Sequence, residues 1–329
     1  MTALSILDLA PINEGGSAAD SFANTVDLAR LADDLGYRRY WMAEHHGMVG
    51  IASAATAVLI GHVAGATRRI RVGAGGIMLP NHSPLMVAEQ FGTLDTLYPH
   101  RIDLGLGRAP GSDAATMRAL RRDLNTDPHA FPDDVRELTS YFEGTAPVTA
   151  VPGQGCDQIQ IWILGSSLAG ARLAARLGRP YSFASHFAPA MLHEALATYR
   201  SQFQPSKYLD KPYVMLGYNV FAASSDDEAH YLASSWQQSF VRLRSGNPGR
   251  LPPPQKNYLD SLPAPARALL DHVLACTATG SPQTVAAQIR AFIEQTGADE
   301  LIINSSMFDH DARRRSIEIA ARAMKGETG

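Results

Sequence analysis

The fold class this sequence predicts is α/β: a single (β/α)8 TIM-type barrel with insertions. Three observations predict it. Short apolar runs alternate with longer stretches of helical periodicity along the whole chain. The runs are almost continuously apolar, as parallel strands covered by helices must be. The 329 residues suit one such barrel carrying insertions, so residues 1–329 read as a single domain. Strands are predicted at Leu4–Leu9, Arg39–Ala43, Ile70–Gly75, Arg101–Gly105, Ile159–Leu164, Tyr181–Ser185, Tyr213–Ala222 and Glu300–Asn304. An open doubly wound sheet is the alternative, because strand count alone does not prove closure.

The helices follow in order. Asp20 to Gly36 places Phe22, Val26, Leu28, Leu31 and Leu35 on one face and stops at a glycine suited to a C-terminal cap. Similar stretches run over Ser53–Ala66, Leu85–Leu97, Ala169–Leu177, Pro189–Phe203 and Thr284–Thr296, the last preceded by Ser281 as N-cap and Pro282 in the first turn. Gly111 to Tyr141 reads as more than one helix, interrupted near Pro128 and Pro132. Asn247 to Pro265 holds six prolines, Pro248, Pro252, Pro253, Pro254, Pro263 and Pro265, which rule out a regular helix or central strand. This insertion, 245–266, follows the seventh strand on the face where barrel active sites form. It reads equally as a lid and as a surface insertion without a role.

Composition excludes several classes. With 29 basic and 32 acidic side chains, the net charge of -3 gives no footprint for nucleic acid. Cys156 and Cys276 make neither a disulfide framework nor a zinc pattern and read as packing residues. Met1 to Pro11 lacks the pattern of a secretory signal, and the apolar stretch Ile51–Ala66, which contains His62, falls short of a membrane span. A cytoplasmic protein with no membrane partner is expected.

Chemistry in a barrel gathers at the C-terminal strand ends. There the sequence places Glu44-His45-His46-Gly47, Gly73-Ala74-Gly75-Gly76 with Pro80-Asn81-His82, Gly107-Arg108-Ala109-Pro110-Gly111, Gly165-Ser166-Ser167-Leu168-Ala169-Gly170 and Ser185-His186-Phe187. A glycine and two serines between strand and helix direct amides and hydroxyls at a helix N-terminus, which binds phosphate. Taken alone, Ser166 or Ser167 reads as a helix cap. Arg108, one loop earlier, adds a guanidinium suited to the same phosphate and points to a nucleotide-like cofactor. Adjacent histidines on an extended segment face opposite sides, and no HExxH is present, so no metal is expected. One histidine is expected to face the pocket and the other to pack or pair locally. Gly105-Leu106-Gly107-Arg108-Ala109-Pro110 ends in proline where a dinucleotide fingerprint needs glycine or alanine. Gly165 to Gly170 is one residue too long for a nucleophile elbow.

At these residues the sequence resembles the luciferase-like flavin monooxygenase family. The matching stretches are WMAEHHG at 41–47, GAGGIMLPNHSPLMVAEQFGTLDTLYPHRIDLGLGRAPG at 73–111, ILGSSLAGARLAARLGRPYSFASHFAP at 163–189 and TGSPQTVAAQIRAFIEQTGADELII at 279–303. The LGSS and PYSFASHFAP stretches resemble a bacterial branch that includes oxygenases of polyketide biosynthesis. By position, the resemblance implies that Arg108, Ser166, Ser167, Leu168 and Gly170 hold the phosphate of FMN, the last two through backbone. It places a non-prolyl cis peptide at Gly75-Gly76 and the active-site histidine at His45. The chain departs from luciferase itself in having Ser166 for a glutamate, Gly170 for a threonine and Gly107 for the reactive cysteine.

The resemblance further implies reduced FMN (FMNH2) as cosubstrate and O2 as oxidant, reacting through a C4a-peroxyflavin on a small organic substrate such as a polyketide or aldehyde. His46, Met78, His186 and Phe187 are candidate lining of that substrate pocket, although Met78 and Phe187 read equally as packing. Without a nicotinamide fingerprint, the reduced flavin is expected from a separate NAD(P)H:flavin reductase. A homodimer is implied by resemblance alone. The rivals are F420-dependent hydride transfer and a non-catalytic flavin-binding protein.

Overall fold

A computed structural model describes residues 2–108, 114–120 and 130–326. In chain order the elements are β1 (Ala3–Asp8), α1 (Ala18–Leu35), β2 (Arg39–Met42), α2 (Thr56–Ala66), β3 (Arg71–Met78), α3 (Pro84–Leu97), β4 (Ile102–Gly107), α4 (Ala114–Ala119), α5 (Phe131–Glu143) and β5 (Gln160–Gly165). They continue with α6 (Leu168–Leu177), β6 (Tyr181–Phe183), α7 (Leu192–Gln202), β7 (Val214–Ala222), α8 (Asp226–Arg244), α9 (Ala264–Leu274), β8 (Thr277–Gly280), α10 (Pro282–Thr296), β9 (Glu300–Asn304) and α11 (His310–Lys325).

All strand pairings are parallel. Strands β1 to β7 pair in sequence, β7 pairs with β9, and β9 returns to β1, closing a ring of eight. Closure excludes the open sheet, and the ring consists of the eight strands read from the sequence. The ninth strand, β8, was not among them. Its TATG segment is too short and too weakly apolar to register as a strand, and it pairs only with the upper part of β7, Asn219 to Ala222.

One reading holds and one changes. As read from the sequence, Gly111 to Tyr141 holds more than one helix, α4 and α5, and Pro132 lies in the first turn of α5, where its missing N–H costs nothing; Pro128 lies outside the described residues. The proline-rich stretch does not leave β7 directly, because α8 intervenes. It is the middle of a longer excursion, 223–281, with its own apolar core of Phe221, Leu232, Trp236, Phe240, Leu270 and Val273. Within it Leu251 is buried and exchanges backbone hydrogen bonds with Ile12 (2.9 Å) and Glu14 (2.8 Å) beyond β1.

The barrel interior is layered. At its N-terminal end Arg39 is buried and donates to Asp103 (2.7 Å), Gln160 (3.0 Å) and Glu300 (3.0 Å). Arg71 adds a second guanidinium to Asp103 (2.8 Å), Trp41 donates its ring N–H to Asp103 (3.0 Å), and Tyr213 donates to Glu300 (2.9 Å). Burial raises the Asp103 carboxyl, but Arg39 and Arg71 outweigh it and hold the group below its ordinary value. The next layer is apolar: Leu7, Trp41, Trp162, Met215 and Ile302, with the Arg39 guanidinium 4.7 Å from the Trp162 ring centre. Outside the ring, Asp8 accepts from Tyr40 (2.6 Å), Thr25 (2.7 Å) and Arg313 (2.8 Å), fastening α1 and α11 to β1. Among the described residues no helix is long and apolar enough to cross a membrane.

Arg39→Met should destabilise the protein by about 3–5 kcal/mol, because it strands two buried carboxylates; the urea midpoint measures it. Asp103 contributes stability that is fully present above the ordinary carboxylate range and lost as pH falls through its lowered folded value. Acid unfolding of Asp103→Asn should therefore show a shallower pH dependence than the parent.

Candidate active site

Above the tryptophan layer β3 and β4 present glycines, and their backbones pack closely. A Cβ at Gly75 would lie 2.8 Å from Leu7 and 3.0 Å from Trp41; one at Gly76 would lie 2.5 Å from the Gly105 carbonyl oxygen. One at Gly105 would meet the Ala74 carbonyl oxygen at 2.3 Å. Only glycine permits this approach of the two strands. The register between them shifts at Gly76, a bulge, and the Gly75–Gly76 peptide is cis. At Gly107 a Cβ would meet only the Ile77 carbonyl oxygen, at 3.7 Å.

The two histidines after β2 part company. His46 turns back on Glu44, its Nε2 2.7 Å from Oε1, and His82 reaches the same oxygen at 2.8 Å. The Met78 N–H donates to Glu44 Oε2 at 3.0 Å. Burial raises the Glu44 carboxyl; His82, the Met78 amide and His46 together bring it below its ordinary value. The carboxylate is thus an ionised hub joining β2 to the end of β3. Among the described residues Glu44, His46 and His82 form the one group whose ligand atoms, all within 4.8 Å of one another, could hold a metal ion. The geometry in hand is that of two hydrogen bonds on one oxygen. His45 continues the inward alternation of Arg39, Trp41 and Ala43, and its Nδ1 is buried without a partner. Burial lowers its pKa more than the Glu44 charge raises it, which favours a neutral imidazole.

His186 enters the mouth from the β6 side. Its ring lies against the backbone of β7, where a Cβ on Gly217 would fall 1.9 Å from Nδ1. That Nδ1 is buried and unpartnered, and burial pushes the imidazole down to about 4. Asn219 holds the His186 carbonyl at 2.9 Å and is itself bonded by Asn304 at 2.8 Å. Phe187 is 40% exposed and packs edge-on to Phe240, with Arg244 over its face. Met78 is half-buried beside the Glu44 hub.

The phosphate-binding candidates converge in part. A cavity of about 330 Å³ is lined by Arg108, Leu164, Ser167, Gly170, Arg172 and Arg176, among others. Ser167 is the N-cap of α6 by conformation, yet its side chain makes no capping hydrogen bond, which leaves the hydroxyl uncommitted. Leu168 opens the helix, so its amide lies among the unpaired N–H groups of the first turn. Ser166 is exposed and does not line the cavity. At Gly170 a Cβ would meet nothing closer than 3.5 Å. Ala109, Pro110 and Gly111 lie outside the described residues.

The sequence reading missed Glu44 as the hub, His82 as its second partner, Gly217 as the slot for His186, and the arginines of α6. The signal for the last was present as two arginines four residues apart after the serine loop. The hub was overlooked because the metal search used helical HExxH spacing, whereas these groups meet across neighbouring strands.

The closed parallel barrel, with a cavity at the start of α6 and polar groups at the C-terminal strand ends, has the architecture of the (β/α)8 enzymes. Residues 2–300 match the family model described as luciferase-like monooxygenase, and the chain belongs to that family, which binds flavin-type cofactors. It is similar to a luciferase-like monooxygenase of Escherichia coli strain K12, 53% identical over 97% of this chain and 96% of that one. It is also similar to N-acetyl-S-alkylcysteine monooxygenase of Bacillus subtilis strain 168, 37% identical over 75% of each chain. The crystal structure of apo-MsnO8 superposes with a TM-score of 0.88 at 36% identity, covering 99% of both chains.

Gly217→Ala should expel the His186 ring from its slot. The imidazole should then titrate nearer the ordinary histidine value of about 6.5 than the buried value of about 4, as followed by NMR of the ring protons. An unchanged titration would show that the slot does not set its environment.

Proposed function

We propose that this chain is the oxygenating component of a two-component monooxygenase that uses reduced FMN and O2 to oxygenate a small organic substrate. The observation that carries the reading is the shared cavity of Arg108, Ser167 and Gly170 at the start of α6, with the Ser167 hydroxyl left uncommitted. These residues fit a flavin phosphate: a guanidinium, a hydroxyl and first-turn amides supply charge-assisted and neutral donors at a helix N-terminus. When bound, reduced FMN supplies the electron pair that activates O2.

The protein's own groups do the rest. Arg108, Ser167 and the Leu168 and Gly170 amides hold the phosphate, with Ser166 at the outer edge of the loop. The glycines at 75, 76 and 105 let β3 and β4 approach closely, and Gly107 leaves room at the end of β4 beside which a planar ring would lie. Trp41, Trp162 and Leu7 floor that space and exclude water from below. His45, kept neutral by burial, accepts and returns a proton at Nδ1. His186, His46, Met78 and Phe187 flank the substrate side, and segment 245–266, tied to the chain beyond β1, covers it. Thioethers join aldehydes and polyketides as substrate classes to screen, given the relative named for an S-alkylcysteine.

Two partners belong to the proposal. The absence of a dinucleotide fingerprint assigns flavin reduction to a separate NAD(P)H:flavin reductase. Helix α2 carries no Asp, Glu, Lys or Arg, and its Val58 is exposed, as are Met86 and Leu97 of α3. These exposed apolar side chains are the surface on which a second copy of the chain would pack.

Arg108→Gln should weaken FMN binding by about 10- to 100-fold, the worth of one charged hydrogen bond, and leave riboflavin binding unchanged, as read by flavin fluorescence. With reduced FMN and a thioether, 18O2 should label the product. Uptake of F420 in preference to FMN, or product without label, would overturn the reading. Val58→Glu should convert a dimer to a monomer in light scattering.

A further inference from the structure

Three guanidiniums, Arg108, Arg172 and Arg176, line one cavity. Among the described residues none of them has a hydrogen bond or an ion pair. Arg172 and Arg176 lie one turn apart on the exposed face of α6, where two like charges repel at a small cost unless an anion joins them. The acids nearest in sequence to the lining, Asp133 and Asp134, begin α5 beside Pro132, and Asp133 is paired with Arg136. The last-turn position of Arg176 also suits the helix dipole; that of Arg172 does not profit from it.

A single phosphate cannot engage all three. With a rise of about 1.5 Å per residue, Arg172 stands roughly 7 Å and Arg176 roughly 13 Å along the helix from Ser167. The whole chain carries a charge of -3, so its far field repels a phosphate dianion. Salt confines any charge's influence to about 8 Å. An approaching phosphate therefore responds to the local ladder Arg176, Arg172, Arg108, not to the protein as a whole.

We propose that Arg172 and Arg176 form an outer anion station, which captures the phosphate ester of an incoming flavin and passes it inward to Arg108 and Ser167. The proposal rests on the flavin reading and adds a kinetic role to it. Reduced flavin delivered through solution is consumed by O2 on the way, so its arrival rate matters in addition to its affinity.

The test is stopped-flow association of FMN with the full-length protein across a salt series, for the wild type, R172Q/R176Q, R172K/R176K and R108Q. The double glutamine variant should associate about 5- to 10-fold more slowly at low salt, the lower range for electrostatic steering. Its salt dependence should flatten and its dissociation rate stay within about twofold. The lysine pair should keep the wild-type rate, because steering needs charge and not guanidinium shape. R108Q should instead raise the dissociation rate, and riboflavin should associate equally with every variant. An unchanged association rate in R172Q/R176Q, or a dissociation rate raised as in R108Q, would overturn the outer station. If the wild type takes up F420 and not FMN, the FMN reading fails, and the same series with F420 decides the station by itself.

Discussion

The guanidinium of Arg39 is the fixed point of the barrel. A buried charge is tolerated only when it is paired and fully hydrogen-bonded, and Arg39 meets that demand through strands β4, β5 and β9 at once. The consequence is geometric. Asp103, Gln160 and Glu300 are tied to the same centre, so slippage of β4, β5 or β9 would break bonds to it. With the lower end registered in this way, Trp41 and Trp162 stack edge to face at 5.3 Å directly above, and every residue higher on those strands inherits its height.

The mouth is built on the opposite principle. Where the floor is crowded and charged, β3 and β4 offer backbone in place of side chains, and polar groups stand around the rim. Glu44 does for the rim what Arg39 does for the floor, but with fewer bonds. It spends one oxygen on two imidazoles and the other on the Met78 amide. His45 and His186 are left with buried, unpartnered ring nitrogens. Buried polar atoms without partners carry a penalty, and a folded protein retains them where a ligand or a proton is to be met.

The barrel was legible in the sequence because its signal is repetitive. SILDL, YWMA, IDLGL and LIIN are each apolar throughout, and eight such runs between helices leave few architectures. The serine–glycine loop and the start of α6 were legible because serines and glycine lie next to the helix they precede. What escaped was whatever depends on strands distant in sequence coming level. His82 lies 36 residues beyond His46, and their shared acceptor emerges only when β2 and β3 are in register. Gly217 reads as a strand glycine until the His186 ring is seen against it. β8 was invisible because its strand character comes from its neighbour and not from its own residues.

Strand β7 is long for a barrel of this kind, with nine residues, all buried. Its lower part, Val214 to Leu216, is wall shared with β6, while Asn219 to Ala222 pairs with β8 in the excursion above. The strand is a mast rooted in the barrel and rigged outside it. Sequence drift in the excursion can therefore reshape what lies beyond β7 without disturbing the register of the floor. Descendants of one ancestral barrel can diversify in substrate by re-rigging this mast, and a grafted excursion cut at Ala223 and Ser281 is the natural unit of exchange between relatives.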